Sequence, residues 1–157
     1  MIRSAVVMGA ALLFPSAGFA GDFNGDGFDD LAIGVPLEYL ASQVDVGGVN
    51  VLYGSASFIS VTGDQFLTLT GLGLEVLGAE EFGTALAIGD FNGDGNDDLA
   101  IGAPLEALGA NGVGADITPR GHASGLTTTN AALWYQETPG VLDVAETGDL
   151  FGYALGS

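Results

Sequence analysis

The feature that most constrains this chain is an internal duplication. Residues 21–38 read GDFNGDGFDDLAIGVPLE, and residues 89–106 read GDFNGDGNDDLAIGAPLE. Sixteen of the 18 positions are identical, at a spacing of 89 − 21 = 68 residues. A segment repeated at such a period marks a chain of stacked supersecondary units, each burying its apolar face against a neighbour. The similarity reaches beyond the two segments. Phe82-Gly83 precedes the second, Phe151-Gly152 recurs 151 − 82 = 69 residues later, and Phe14 lies 68 residues before Phe82.

The remainder of each unit reads as strand. Residues 31–35 and 99–103 are short apolar runs ended by Pro36 and Pro104. Residues 49–53 (VNVLY) are rich in β-formers between Gly48 and Gly54, and residues 66–70 (FLTLT) alternate apolar and polar. In the second unit residues 82–89 and 132–135 take the corresponding places, so Trp134 and Tyr135 are expected in a core strand, with Tyr39, Tyr53 and Phe58 also core rather than ligand-stacking. Where the first unit has GGVNVLYG the second has GADITPRG (114–121), and Pro119 removes a ladder donor. An edge, a bulge or a loop is expected there. No stretch carries helical periodicity over three turns, and the 27 glycines, without a collagen period, read as turns between short strands. The fold class expected is all-β.

The most polar part of each duplicated segment has a chemistry of its own. Residues 22–30 place Asp22, Asn24, Asp26, Phe28 and Asp30 at alternate positions, with Gly27 at the sixth. Residues 90–98 place Asp90, Asn92, Asp94, Asn96 and Asp98 there, with Gly95 at the sixth. Oxygens at positions 1, 3, 5 and 9 of a sharply turning loop match a calcium site, and position 7 would give its backbone carbonyl, which leaves Phe28 and Asn96 free to differ. Without a nitrogen or sulfur ligand, zinc and copper are poor candidates, while magnesium prefers a stiffer octahedron. An EF-hand is excluded because Ile33 and Ile101 stand where its bidentate Glu would be. A plain set of Asx-turns explains one or two acids per turn, not this spacing twice. Asp29 and Asp97, at position 8, should point away from an ion. Two calcium ions are the cofactors expected.

These residues resemble the FG-GAP repeat of integrin α-subunits: Phe82-Gly83, then the acidic loop, then Gly102-Ala103-Pro104. The first copy has Gly34-Val35-Pro36 at the last element. The resemblance implies blades of a β-propeller, each of four antiparallel strands, with the calcium loop joining the first strand to the second. It implies about two repeats, an incomplete propeller, with ligands Asp22, Asn24, Asp26 and Asp30, and Asp90, Asn92, Asp94 and Asp98. Phe82 and the Gly-Ala-Pro segment would be structural. The organisation expected is 1–20 as a signal peptide or the first strand of blade one, 21–81 as repeat one, 82–147 as repeat two, and 148–157 as the start of a truncated third.

Arg3, the apolar residues 5–14, Pro15, Gly18 and Ala20 have the order of a secretory signal, and no later run is long enough to span a bilayer. Twenty acids against two bases, a net charge of −18, exclude nucleic acid and anionic membrane as partners. Eight of those acids lie in the two loops. The absence of cysteine excludes disulfides and thiolate metal sites. The function expected is a secreted, non-enzymatic calcium-binding module at the cell surface, engaged in adhesion or in binding a protein or glycan, with self-assembly or further blades needed to close a propeller. The alternative is a purely architectural piece of a larger secreted protein or enzyme. His122, the sole histidine, with Ser124 nearby, is no evidence of a triad.

Overall fold

The computed structural model describes residues 18–40, 43–108 and 112–156. They form two four-stranded antiparallel sheets. The first contains β1 (Gly18–Gly21), β2 (Asp30–Gly34), β3 (Val49–Tyr53) and β4 (Ser60–Leu67); the second contains β5 (Leu86–Gly89), β6 (Asp98–Ala103), β7 (Ala115–Arg120) and β8 (Thr127–Trp134). Each sheet runs in chain order, and one 3-10 turn, Thr70–Leu72, lies between them. The duplication is carried into register: Gly21 pairs with Asp30, and Gly89 with Asp98. The chain is therefore all-β, two propeller-type blades in an open, incomplete propeller.

One core serves both sheets. Val49, Val51 and Leu67 of the first and Leu99, Ile101 and Ile117 of the second belong to one buried cluster. Alternation explains the choice. Val49 pairs with Leu67, and Ile101 with Ile117, so in each sheet the paired residues project from a single face. At the outer end Leu126, the residue before β8, reaches back to the first sheet. Its N–H lies 2.8 Å from Tyr53 Oη and 3.0 Å from Gln65 Oε1, while Gln65 Nε2 donates to its carbonyl at 2.9 Å.

The Phe-Gly steps stitch one unit to the previous one. Phe82 forms a parallel bridge with Gly47, and Phe151 forms the same bridge with Gly114. Phe82 is fully buried and its N–H donates to Val46 O at 3.0 Å, while Gly83 N–H donates to Gly102 O at 2.9 Å. The approach is so close that a Cβ on Gly34 would lie 2.1 Å from Gly83 O, and one on Gly102 would lie 2.0 Å from Gly152 O.

Several expectations need correction. The fourth strand of unit one is Ser60–Leu67, not 66–70, because both faces of its outer part meet solvent and leave no alternation to read. Thr70 instead opens the 3-10 turn. Strand β7 is an inner strand, between β6 and β8, so neither an edge nor a loop describes it; the bulge reading fits, since the register slips between Thr118 and Arg120, around Pro119. Strand β8 starts at Thr127 and ends before Tyr135. Trp134 is 43% exposed, and Phe58 and Tyr39 are more so, so none of the three is core; Tyr53 does pack against it. Strand β5 starts at Leu86, after Phe82 has already paired with the preceding unit. The signal-peptide reading covers residues 1–20, of which 1–17 lie outside those described; residues 18–21 form β1, the strand alternative for that segment. Among the described residues no helix is long and apolar enough to cross a membrane.

Candidate metal centre

The two acidic segments are the hairpin connections β1–β2 and β5–β6. They fold alike because corresponding side chains accept from corresponding backbone donors, with Gly93 N–H a further donor in the second. In the first, Asp22 accepts from Asp26 N–H at 3.0 Å and Gly27 N–H at 3.0 Å. Asn24 Oδ1 accepts from Asp26 N–H, and Asp26 Oδ1 from Phe28 N–H, each at 2.9 Å. In the second, Asp90 accepts from Gly93, Asp94 and Gly95 N–H, Asn92 Oδ1 from Asp94 N–H, and Asp94 Oδ1 from Asn96 N–H. Gly27 and Gly95, at φ of 90° and 95°, make the left-handed step that the curl requires. Phe28 is exposed, while the amide of Asn96 donates to Asp94 at 3.0 Å.

The ninth position differs from the others. Asp30 and Asp98 are buried, and each ties its loop to the end of the third strand. Asp30 accepts from Phe23 N–H at 2.9 Å and Gly54 N–H at 2.8 Å. Asp98 accepts from Phe91 N–H at 3.1 Å and Gly121 N–H at 2.9 Å. This cross-link was not anticipated, although Gly54 and Gly121, each directly after a third strand, were its sequence trace. Burial pushes the Asp30 carboxyl up to about 6, against the N–H bonds of Gly54, Phe23 and Asn24; the charge of Asp26 adds to the rise. Asp94, fully exposed, is shifted the other way by the Asn96 N–H, the Asn96 and Asn92 amides and the Arg120 charge.

The eighth residues separate. Asp29 is exposed, but Asp97 turns to the neighbouring loop and accepts from Asp22 N–H at 2.9 Å. Asp97 N–H donates to Asp22 O at 3.0 Å, and His122 N–H to Phe23 O at 2.9 Å. The two loops therefore form one contiguous acidic surface. His122 Nδ1 and Ser124 Oγ, 2.9 Å apart, close an exposed turn beside it.

The donor set is hard and all-oxygen, three carboxylates and one side-chain amide oxygen in each loop, which fits calcium. The carboxylates are turned onto the loop amides, and among the described residues no group of three or more Asp, Glu, His or Cys side chains is gathered closely enough to hold an ion.

Four-stranded sheets in simple up-and-down order, each with an acidic first hairpin and stitched by a Phe-Gly step, define a blade-repeat protein of the propeller class. The sequence model of the FG-GAP repeat family matches residues 14–52 and 82–115. The chain is 38% identical to integrin alpha-3 of Cricetulus griseus over 97 residues, 61% of this chain and 9% of that protein. It is 36% identical to integrin alpha-8 of Gallus gallus over 112 residues, 68% of this chain and 10% of that one. It is 34% identical to integrin alpha-IIb of Mus musculus over 140 residues, 85% of this chain and 12% of that one. The chain is an FG-GAP repeat protein similar to the integrin α propeller, and it spans about a tenth of the length of the relatives it matches.

Proposed function

We propose that these blades form a calcium-dependent, non-catalytic interaction module of the integrin α type, acting outside the cell in adhesion through a protein or glycan partner. The carrying observation is the pair of hairpin loops. Both hold the same oxygen donors on the same backbone N–H pattern, and both sit at the first hairpin of an integrin-like blade. Asp22, Asn24, Asp26 and Asp30 would hold one ion, and Asp90, Asn92, Asp94 and Asp98 the other, with the carbonyls of Phe28 and Asn96 completing the sets. The bound charge would offset the repulsion among carboxylates in a chain of net charge −18, and it would stabilise the fold because the ion favours the folded loop.

Calorimetric titration of the metal-stripped full chain tests the reading. Two calcium sites and a rise in thermal midpoint are expected, with Asp26→Asn and Asp94→Asn each losing one site. Absence of both heat and thermal shift on calcium addition would sink it.

A further inference from the structure

A second set of acids lies away from the loops, at the joint between the two units. Glu80 is 2% exposed and Glu106 5% exposed, although Glu38, the counterpart of Glu106 in the first unit, is open to solvent. Glu80 Oε1 accepts from the N–H groups of Leu77 and Gly78. Its Oε2 has no hydrogen-bond partner among the described residues, nor has Oε2 of Glu106. The two are brought together by the stitch itself. Leu105 N–H donates to Glu80 O at 3.3 Å, and two residues beyond Glu80 the Phe82-Gly83 step pairs with Val46 and Gly102.

Among the described residues no cation serves this place. The chain has two, Arg3, outside the described residues, and Arg120. Arg120 ends β7, five residues from Ala115, so roughly 16 Å of extended strand separates it from the joint end. Its charge acts on Asp94. The other ionisable neighbours are acids too: Asp45, whose carbonyl accepts from Glu81 N–H, and Glu81 itself, whose carboxyl is raised by burial and by the Asp45 charge. Two carboxylates out of water, with an unpartnered oxygen each and no counter-charge among the described residues, do not both ionise.

We propose that Glu80 and Glu106 form a buried carboxyl pair that keeps one proton at neutral pH, and that losing this proton loosens the Phe82-Gly83 joint between the units. Burial first, and the Glu80 charge second, raise the Glu106 carboxyl to about 7. The sign follows from linkage. A group held in its protonated form by the fold contributes stability in full below its unfolded value of 4.5, and that contribution is lost as pH rises through about 7. Between those values the folding constant falls by up to about tenfold per pH unit for this one proton. The joint is therefore tight in mild acid and loose in mild alkali, independently of the calcium reading.

A carbon-detected NMR titration of the Glu carboxyls in the full wild-type chain reads the proton directly, with saturating calcium and again with chelator. Glu106 is expected to titrate near neutrality in both, and exchange of the Phe82 and Gly83 amides is expected to accelerate over the same range. In Glu106→Gln, neutral and isosteric, that acceleration is expected to vanish. A Glu106 midpoint in the ordinary carboxylate range overturns the proposal. So does a calcium-dependent midpoint, which would make the pair a cation site, and so does an unchanged amide profile in the variant.

Discussion

Asp22 and Asp97 hold each other across the two units. Asp22 N–H donates to Asp97 Oδ2 at 2.9 Å, and Asp97 N–H donates to Asp22 O at 3.0 Å. Asp22 opens the first acidic loop, and Asp97 sits beside the last acid of the second. Ordering one loop therefore restrains the backbone of the other.

Asp97→Ala tests that link. It removes the acceptor of the Asp22 N–H while leaving every proposed ligand side chain of the first loop in place. We expect calcium affinity at the first loop to fall, along with a loss of roughly 1 kcal/mol in folding stability, the typical contribution of one such bond. Calorimetric titration of wild type and variant checks both sites at once. A decrease confined to the second loop would show that the two act separately.

The joint between units has no room for a methyl group at its narrowest point. Gly34→Ala would set a Cβ 2.1 Å from Gly83 O, a backbone atom of the Phe82-Gly83 step. Overpacking of this kind costs about 1–3 kcal/mol, and here the cost falls on the contact between units. Urea denaturation is expected to show a lower midpoint. Exchange of the Phe82 amide should accelerate more than exchange of amides within β6 and β7.

The outer clamp should be graded. Tyr53→Phe keeps the ring against the core and leaves Leu126 N–H with Gln65 Oε1, so a loss of about 1 kcal/mol is expected. Gln65→Ala removes acceptor and donor together, leaving the Leu126 carbonyl without its Gln65 donor. It should cost more than Tyr53→Phe despite the smaller side chain, and thermal denaturation of the two variants ranks them.

The duplication made the fold class readable, because one motif at a fixed spacing reports both the unit and its neighbour. Strand β3 was legible to the residue, since Gly48 and Gly54 bracket a run of β-formers. Strand β4 was not: its outer residues face water on both sides and carry no period of two. Trp134 was misplaced because an aromatic in a strand reads as core whichever face it projects from. The loop residues were legible as a set, while the roles of Asp97, Glu80 and Glu106 depend on contacts between units that no local pattern encodes. Asp30 and Asp98 read as ligands, but their bonds to Gly54 and Gly121 join segments 54 − 30 = 24 and 121 − 98 = 23 residues apart.

The last prediction concerns a place where the two units disagree. Gly34 pairs with Val49, and its counterpart Gly102 pairs with Asp116, so a carboxylate stands where the first unit has a methyl-bearing core residue. Asp116 is 6% exposed; Oδ1 accepts from Thr118 Oγ1 at 2.9 Å, and Oδ2 has no partner among the described residues. Burial pushes its carboxyl up to about 6, opposed by the Thr118 hydroxyl. The fold therefore favours the protonated form. Its contribution is fully present below the unfolded value of 3.8 and is lost as pH rises through about 6. Asp116→Val should leave stability nearly unchanged at pH 4 and raise it by about 1–3 kcal/mol at pH 8, the cost of a buried group left unsatisfied. Asp116→Asn should flatten the pH dependence while keeping most of the polar cost. Chemical denaturation across pH 4–8 measures all three proteins, and a stability gain in Asp116→Val that is the same at every pH would show that the side chain's charge is not what the fold resists.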